Sequence, residues 1–140
     1  MEQELEQELA QRGLNDVYKV LPRQFDANLS NLIAQLGDGC FFDAVYGIPR
    51  GGLIPATIIS YKFDKPLLLN DRDISKHRNV LIVDDICCKG TTLFDMSKKY
   101  KNIIFAPVYY RNTSKFIPDY CGHTILDNKY WIMPWENINV

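Results

Sequence analysis

The sequence predicts an α/β fold of three layers, with a mostly parallel central sheet and helices on both faces. Three observations lead there. Val80–Val83 is an unbroken apolar run, the mark of a strand buried on both sides, and a turn and a helical pattern follow it. The stretch from Phe41 to Ala56 repeats the same order of strand, glycine-rich turn and helix. Strands then alternate with helical segments, which implies parallel pairing through right-handed crossovers. The 140 residues form a single domain, with enough apolar sequence for a core.

In chain order, residues 1–21 are a helical leader. Acids at alternate positions and Leu5 and Leu9 one turn apart predict a short helix over Glu2–Arg12, stopped by Gly13. Pro22 closes this segment. Phe25, Leu29, Leu32, Ile33 and Leu36 recur with helical period before Gly37. Phe41–Tyr46 is a strand, and the helix after its turn runs through Thr57–Tyr61. Leu67–Leu69 is a short strand. Asn70–Asn79, with five charged residues and His77, is a solvated connection. Leu93, Phe94, Met96 and Tyr100 give the next helix an apolar face whose use is core packing. Ile103–Tyr110 is a buried strand in which Pro107 requires an edge position or a bulge. Lys129–Met133 is a last short strand before Pro134-Trp135-Glu136.

A net charge of −1 gives no broad attraction to nucleic acid, and no apolar run is long enough to cross a bilayer. Neither nucleic acid nor membrane is therefore an expected partner. The N-terminus has no signal-peptide pattern. Cys40, Cys87, Cys88 and Cys121 lack disulfide-framework or zinc-ribbon spacing, so free thiols in a reducing cytoplasm are expected.

The chemistry concentrates in two turns. Val80–Leu93 reads VLIVDDICCKGTTL. A buried strand runs into Asp84 and Asp85, then a short turn with Gly90, then Thr91 and Thr92 at a helix start. Backbone N–H groups, hydroxyls and a helix N-terminus around one point suit a phosphate. The two acids suit sugar hydroxyls or a divalent cation. The other turn is Gly47-Ile48-Pro49-Arg50-Gly51-Gly52. Gly51 and Gly52 allow a ligand to approach the backbone, and Arg50 offers a fork of donors to an anion. The bland alternatives are an acidic strand end and a plain surface turn. The two turns together weigh against both.

The Val80–Leu93 stretch resembles the phosphoribosyl-pyrophosphate signature of the type I phosphoribosyltransferases. The Arg50-Gly51-Gly52 turn resembles the pyrophosphate loop of the purine enzymes, most closely the xanthine-guanine and hypoxanthine type. The order Trp131-Ile132, then Pro134-Trp135-Glu136, resembles their C-terminal hood, here residues 111–140. The resemblance implies a phosphoribosyltransferase core and transfer of ribose 5-phosphate from phosphoribosyl pyrophosphate to a purine-like base, with Mg²⁺ and release of pyrophosphate. It implies that Asp84 and Asp85 hold the ribose hydroxyls with the metal nearby. It implies that Cys88, Lys89, Gly90, Thr91 and Thr92 wrap the 5′-phosphate, and that Arg50, Gly51 and Gly52 cradle pyrophosphate. Asp84, Asp85 and Cys88 form the implied catalytic set. The base, or a nucleoside monophosphate, would meet Tyr110, Arg111, Trp131 and Ile132. The family often has a cis non-proline peptide before the basic loop residue, which here is the Pro49–Arg50 bond.

The sequence departs from the family at several points. Cys88 stands where the purine enzymes commonly carry an Asp general base, which removes the best proton acceptor. Lys89 replaces a Thr. Tyr110 falls on the position of a Lys aimed at the 6-oxo group, with Arg111 beside it. Asn70–Asn79 replaces a long mobile loop and spans at most about 35 Å. A neighbouring subunit covering the site, hence a homo-oligomer, is one expectation. The other is a nucleotide-binding module of low activity with a regulatory role. A phosphatase using Cys87 or Cys88 is disfavoured, because no Arg lies between Cys87 and Leu93 to close its phosphate loop.

Overall fold

The computed structural model describes Gln7 and residues 16–136. The leader helix expected over Glu2–Arg12 lies, but for Gln7, outside the described residues. Two compact units divide the chain. Residues 28–125 make the larger, and the described residues up to Ala27 together with those from Leu126 make the smaller.

Strand β1 (Asp16–Lys19) belongs to the smaller unit and pairs in parallel with β9 (Lys129–Ile132), with Tyr18 opposite Trp131. The Tyr18 and Trp131 rings lie 4.3 Å apart, and the Trp131 indole N–H donates to Asp127 at 2.9 Å. Trp131 is buried at 6% exposure. Phe25 meets Trp135 edge-on at 5.0 Å. The Asp16–Lys19 strand lies within the stretch that the sequence assigns to a helical leader. Its Val17-Tyr18 pair favours extended chain, but two residues are too short a run to stand out.

Helix α1 (Pro22–Gly37) begins three residues before the first periodic apolar position. Pro22 opens this helix instead of closing the segment before it. Proline fits there because the first helical residues have no N–H partner to lose. The residues from Asn28 on belong to the larger unit, and Leu29, Leu32 and Leu36 are buried.

The larger unit is built on a four-stranded parallel sheet of order β3-β2-β4-β6: Leu67–Leu68, Ala44–Gly47, Val80–Val83 and Ile103–Phe105. Period-2 alternation sorts its two faces. Ala44, Val80 and Ile82 join Leu93 of α3 (Thr91–Lys99) in one apolar cluster. Gly47 faces the other way, against Ala56 of α2 (Leu53–Phe63). The two helices therefore cover opposite faces, and the expected three layers are present.

The pair β4 and β6 continues as β5 (Ile86–Cys87) and β7 (Tyr109–Arg111), and β8 (His123–Ile125) adds to β7. Ile103–Tyr110 is thus two strands, not one. Pro107 has no N–H to give the ladder, but the ladder keeps its phase across it, with Ala106 donating to Ile82 and Val108 to Asp84; the phase changes one residue later, where Tyr109 donates to Asp85. β6 is the edge of the four-stranded sheet, so Pro107 follows an edge strand, the first of the two conditions set by the sequence.

The connection after β3 is more structured than its composition suggests. Asp71–Lys76 is a 3-10 helix whose Ile74 is fully buried. The Asn102 side chain donates to the Ile74 and His77 carbonyls at 2.8 Å, and Asp43 accepts the N–H groups of Arg78 and Asn79.

Candidate functional site

Strand order positions the site. The chain steps from β2 outward to β3, then crosses back to β4 on the other side of β2 and on to β6. The point where the order reverses lies between β2 and β4, and crevices at such points, at the carboxyl ends of strands, bind ligands in open α/β sheets. Both turns singled out in the sequence open there. Gly47 is opposite Val83, and the Ile48 N–H extends the ladder to the Val83 carbonyl at 2.9 Å. The glycine turn then leaves β2 while Asp84 and Asp85 leave β4.

The two turns touch. A Cβ built on Gly51 would meet the Asp85 carboxylate, with Asp85 Cγ 2.6 Å away. A Cβ on Gly52 would lie 2.6 Å from the carbonyls of both Ile48 and Val83. Gly52 is therefore required by space, not by a positive φ, whereas at Gly51 the obstacle is the end of the Asp85 side chain. The Pro49–Arg50 peptide is cis, and Arg50 is exposed.

The acids are held by local backbone. The Asp85 N–H donates to the Asp84 carboxylate and the Ile86 N–H to the Asp85 carboxylate, both at 2.8 Å. Burial pushes the Asp84 carboxyl well above the usual range, and the hydrogen-bonded, charged Asp85 beside it adds to this, against the pull of the Asp85 N–H. A cation between these carboxylates would relieve that strain in charge. Among the described residues no group of three or more His, Cys, Asp or Glu is arranged to hold a metal ion. Two carboxylates fit Mg²⁺ that arrives with ligand phosphates and water, not a resident protein-caged ion.

Beyond the acids, Gly90 adopts φ +80° and caps α3 without any side-chain bond. The first N–H groups of the helix are thereby left for an anion. Lys89, Thr91 and Thr92 are exposed around this point. The Cys88 thiol is pushed up by burial, is pulled back by a hydrogen bond to Arg111 and that residue's charge, and is pushed up further by Asp85 and Asp84. Burial likewise raises Cys87. Neither is an activated thiolate. All four cysteines are free.

Of the residues expected to meet a base, Tyr110 and Arg111 belong to the larger unit. Successive residues of a strand point to opposite faces. Tyr110 packs on the apolar cluster, whereas Arg111, 4% exposed, meets Cys88. Trp131 and Ile132 belong to the smaller unit. Sequence reasoning missed Ser114 and Phe116, which lie against Gly90. They sit in an aperiodic polar stretch with no local signal.

This architecture recurs in solved structures. The chain aligns with a purine phosphoribosyltransferase from Pyrococcus horikoshii Ot3 at 24% identity and a TM-score of 0.72, over 90% of this chain and 97% of that one. The fold is that of the phosphoribosyltransferases. The Helicobacter pylori xanthine-guanine-hypoxanthine phosphoribosyltransferase aligns at 17% identity and a TM-score of 0.70, over 86% of this chain and 94% of that one. A hypothetical protein from Neisseria gonorrhoeae, with bound ppGpp, aligns at 18% identity and a TM-score of 0.72, over 90% and 92%. No protein-family model and no curated protein matches the sequence. Within this phosphoribosyltransferase fold, no helix among the described residues is long and apolar enough to cross a membrane.

Proposed function

We propose that the protein is a phosphoribosyltransferase that transfers ribose 5-phosphate from phosphoribosyl pyrophosphate to a purine-like base and releases pyrophosphate. What carries this reading is the contact between the two turns: Gly51 lies against Asp85, on either side of the point where strand order reverses. In this arrangement Asp84 and Asp85 accept the ribose hydroxyls. Arg50 and the Gly51–Gly52 backbone receive the pyrophosphate. The N–H groups and hydroxyls of residues 88–92 hold the 5′-phosphate. Asp84 and Asp85 would hold Mg²⁺ from the protein side, and the ion would neutralise the pyrophosphate. Arg111 offers donors to an oxo group of the base. The remaining work is positioning and stabilisation of charge on a cationic sugar. Cys88, with its thiol pushed up, takes no proton near neutral pH.

A second reading is favoured by that neutral thiol and by the Neisseria neighbour with bound ppGpp. In it, the same site binds a phosphorylated nucleotide for regulation and turns over slowly. One experiment separates the two. Phosphoribosyl pyrophosphate and Mg²⁺ are supplied with guanine, hypoxanthine or xanthine, and pyrophosphate release is followed. Base-dependent release is expected for the transferase. Binding without base-dependent release would leave the regulatory reading standing and end the catalytic one.

A further inference from the structure

The phosphate loop is gripped from outside by a segment that neither signature contains. Arg111, Ser114 and Phe116 lie against that loop and the strand end before it. The Arg111 side chain lies close enough to Cys88 to hold its thiol down against burial. The Ser114 hydroxyl lies 3.6 Å from Cys87 Sγ. A Cβ on Gly90 would fall 2.7 Å from Ser114 Oγ and 2.6 Å from Phe116 Cβ. Ser114 is buried, and its hydroxyl accepts the Phe116 N–H at 3.3 Å and can donate to the Phe116 carbonyl at 3.2 Å.

This strap is fixed at both ends. The Ser114 N–H bonds the Arg111 carbonyl at 2.9 Å, which ties its start to β7. Phe116 packs edge-on against Phe105 at 5.0 Å. Further on, the Asp119 and Tyr120 N–H groups both donate to the Phe105 carbonyl, and the Asp119 carboxylate accepts the Phe105 N–H at 2.8 Å. The loop it holds has three residues between β5 and α3, and one of these is a left-handed glycine. A loop that converges N–H groups on an anion binds it best when that arrangement exists beforehand, since ordering on binding costs affinity.

We infer that Ser114 and Phe116 are positioning residues that hold the Cys88–Gly90 loop in its phosphate-receiving form. The inference rests on the site reading above, which assigns the 5′-phosphate to residues 88–92 and pyrophosphate to the Arg50 turn. The Arg50 turn instead has Asp85 against it, so the two anions should respond differently.

The test uses calorimetric titration of the full chain with guanosine 5′-monophosphate and, separately, with magnesium pyrophosphate. Ser114→Ala should weaken the monophosphate about fivefold, in line with the loss of one hydrogen-bonding group. Phe116→Ala should weaken it about tenfold, and Phe116→Leu, which keeps a packing side chain, should recover most of that. Pyrophosphate should stay within about twofold in all three, where a general loss of structure would move both ligands together. Should Phe116→Ala fail to fold, Ser114→Ala and Phe116→Leu carry the comparison. Equal losses for both ligands, or none for the monophosphate, overturn the inference while the site reading stands. Failure of the unaltered protein to bind either ligand overturns the site reading and the inference with it.

Discussion

Gly51→Ala tests the contact on which the site depends. The added Cβ would sit 2.6 Å from Asp85 Cγ, far inside van der Waals separation. The obstructing group is the end of a side chain, so the carboxylate can swing aside and the fold should survive. In doing so it gives up the Ile86 N–H, now 2.8 Å from Asp85 Oδ1. A hydrogen bond to a charged group contributes about 1.5–3 kcal/mol. If the ligand needs Asp85 in its present place, Mg²⁺-phosphoribosyl pyrophosphate should bind roughly 10- to 150-fold more weakly. Gly52→Ala is the contrasting variant. Its Cβ would meet two backbone carbonyls at 2.6 Å, and neither can move without disturbing β4 or the turn. Here the effect should appear as lost stability, about 1–3 kcal/mol or more, as overpacking gives. Calorimetric titration and thermal unfolding of both variants separate the cases. Affinity in Gly51→Ala equal to that of the unaltered protein would refute the coupling of the two turns.

Three further outcomes are expected. The Asp84 carboxyl is raised in the folded state, so above the ordinary carboxylate value of about 3.9 the unfolded chain has released a proton that the folded protein still holds, and stability falls as pH rises through that window. Asp84→Asn should therefore raise the thermal midpoint near neutral pH, with the gain fading below about pH 4; a gain constant across that range would contradict the assignment. Ile74→Ala should cost about 2–5 kcal/mol in urea unfolding, because Ile74 is fully buried within an otherwise polar connection; a loss under about 1 kcal/mol would mean that the connection is not anchored in the core. Trp131→Ala should cost about 3–5 kcal/mol by the same measurement, since the ring is buried on Tyr18 and bonded to Asp127; a near-neutral change would remove it from the core of the smaller unit.

What could be read from the sequence follows the range of the interactions involved. Val80–Val83 and the Asp pair were legible because a strand buried on both faces needs an unbroken apolar run, and that signal is local. The Arg50-Gly51-Gly52 turn was legible as a turn, but the reason for Gly51 was not. That reason is Asp85, thirty-four positions later, and no local pattern encodes it. Pro22 was misread for want of a marker: a proline at a helix start and one after a helix end look alike until the helix is seen. Pro107 marks an edge position or a bulge in the sequence, but nothing local shows that Ile103–Tyr110 is two strands. The Asn70–Asn79 connection has one apolar residue among many charges, and a single buried side chain leaves no periodicity to detect. Ser114 and Phe116 are the extreme case. Their distant partners are Cys87, Gly90 and Phe105, all earlier in the chain, and only folding brings them together.

The anchoring of that connection also bears on how water is kept from the site. A segment that closes over a ligand must leave its resting contacts at small cost, so mobile lids come from the least stable parts of a fold. Asp71–Lys76 has the opposite character. Lifting it would expose Ile74, release the two carbonyls that Asn102 holds, and free the Arg78 and Asn79 N–H groups from Asp43. One buried isoleucine alone contributes about 1.5–3 kcal/mol. Several hydrogen bonds at about 1 kcal/mol each add to it. A ligand would have to repay that sum before gaining anything from closure, and this segment brings no glycine hinge to lower it. The connection is therefore a fixed wall of the larger unit, and if the site transfers ribose 5-phosphate as proposed, some other element must exclude water or hydrolysis will accompany transfer.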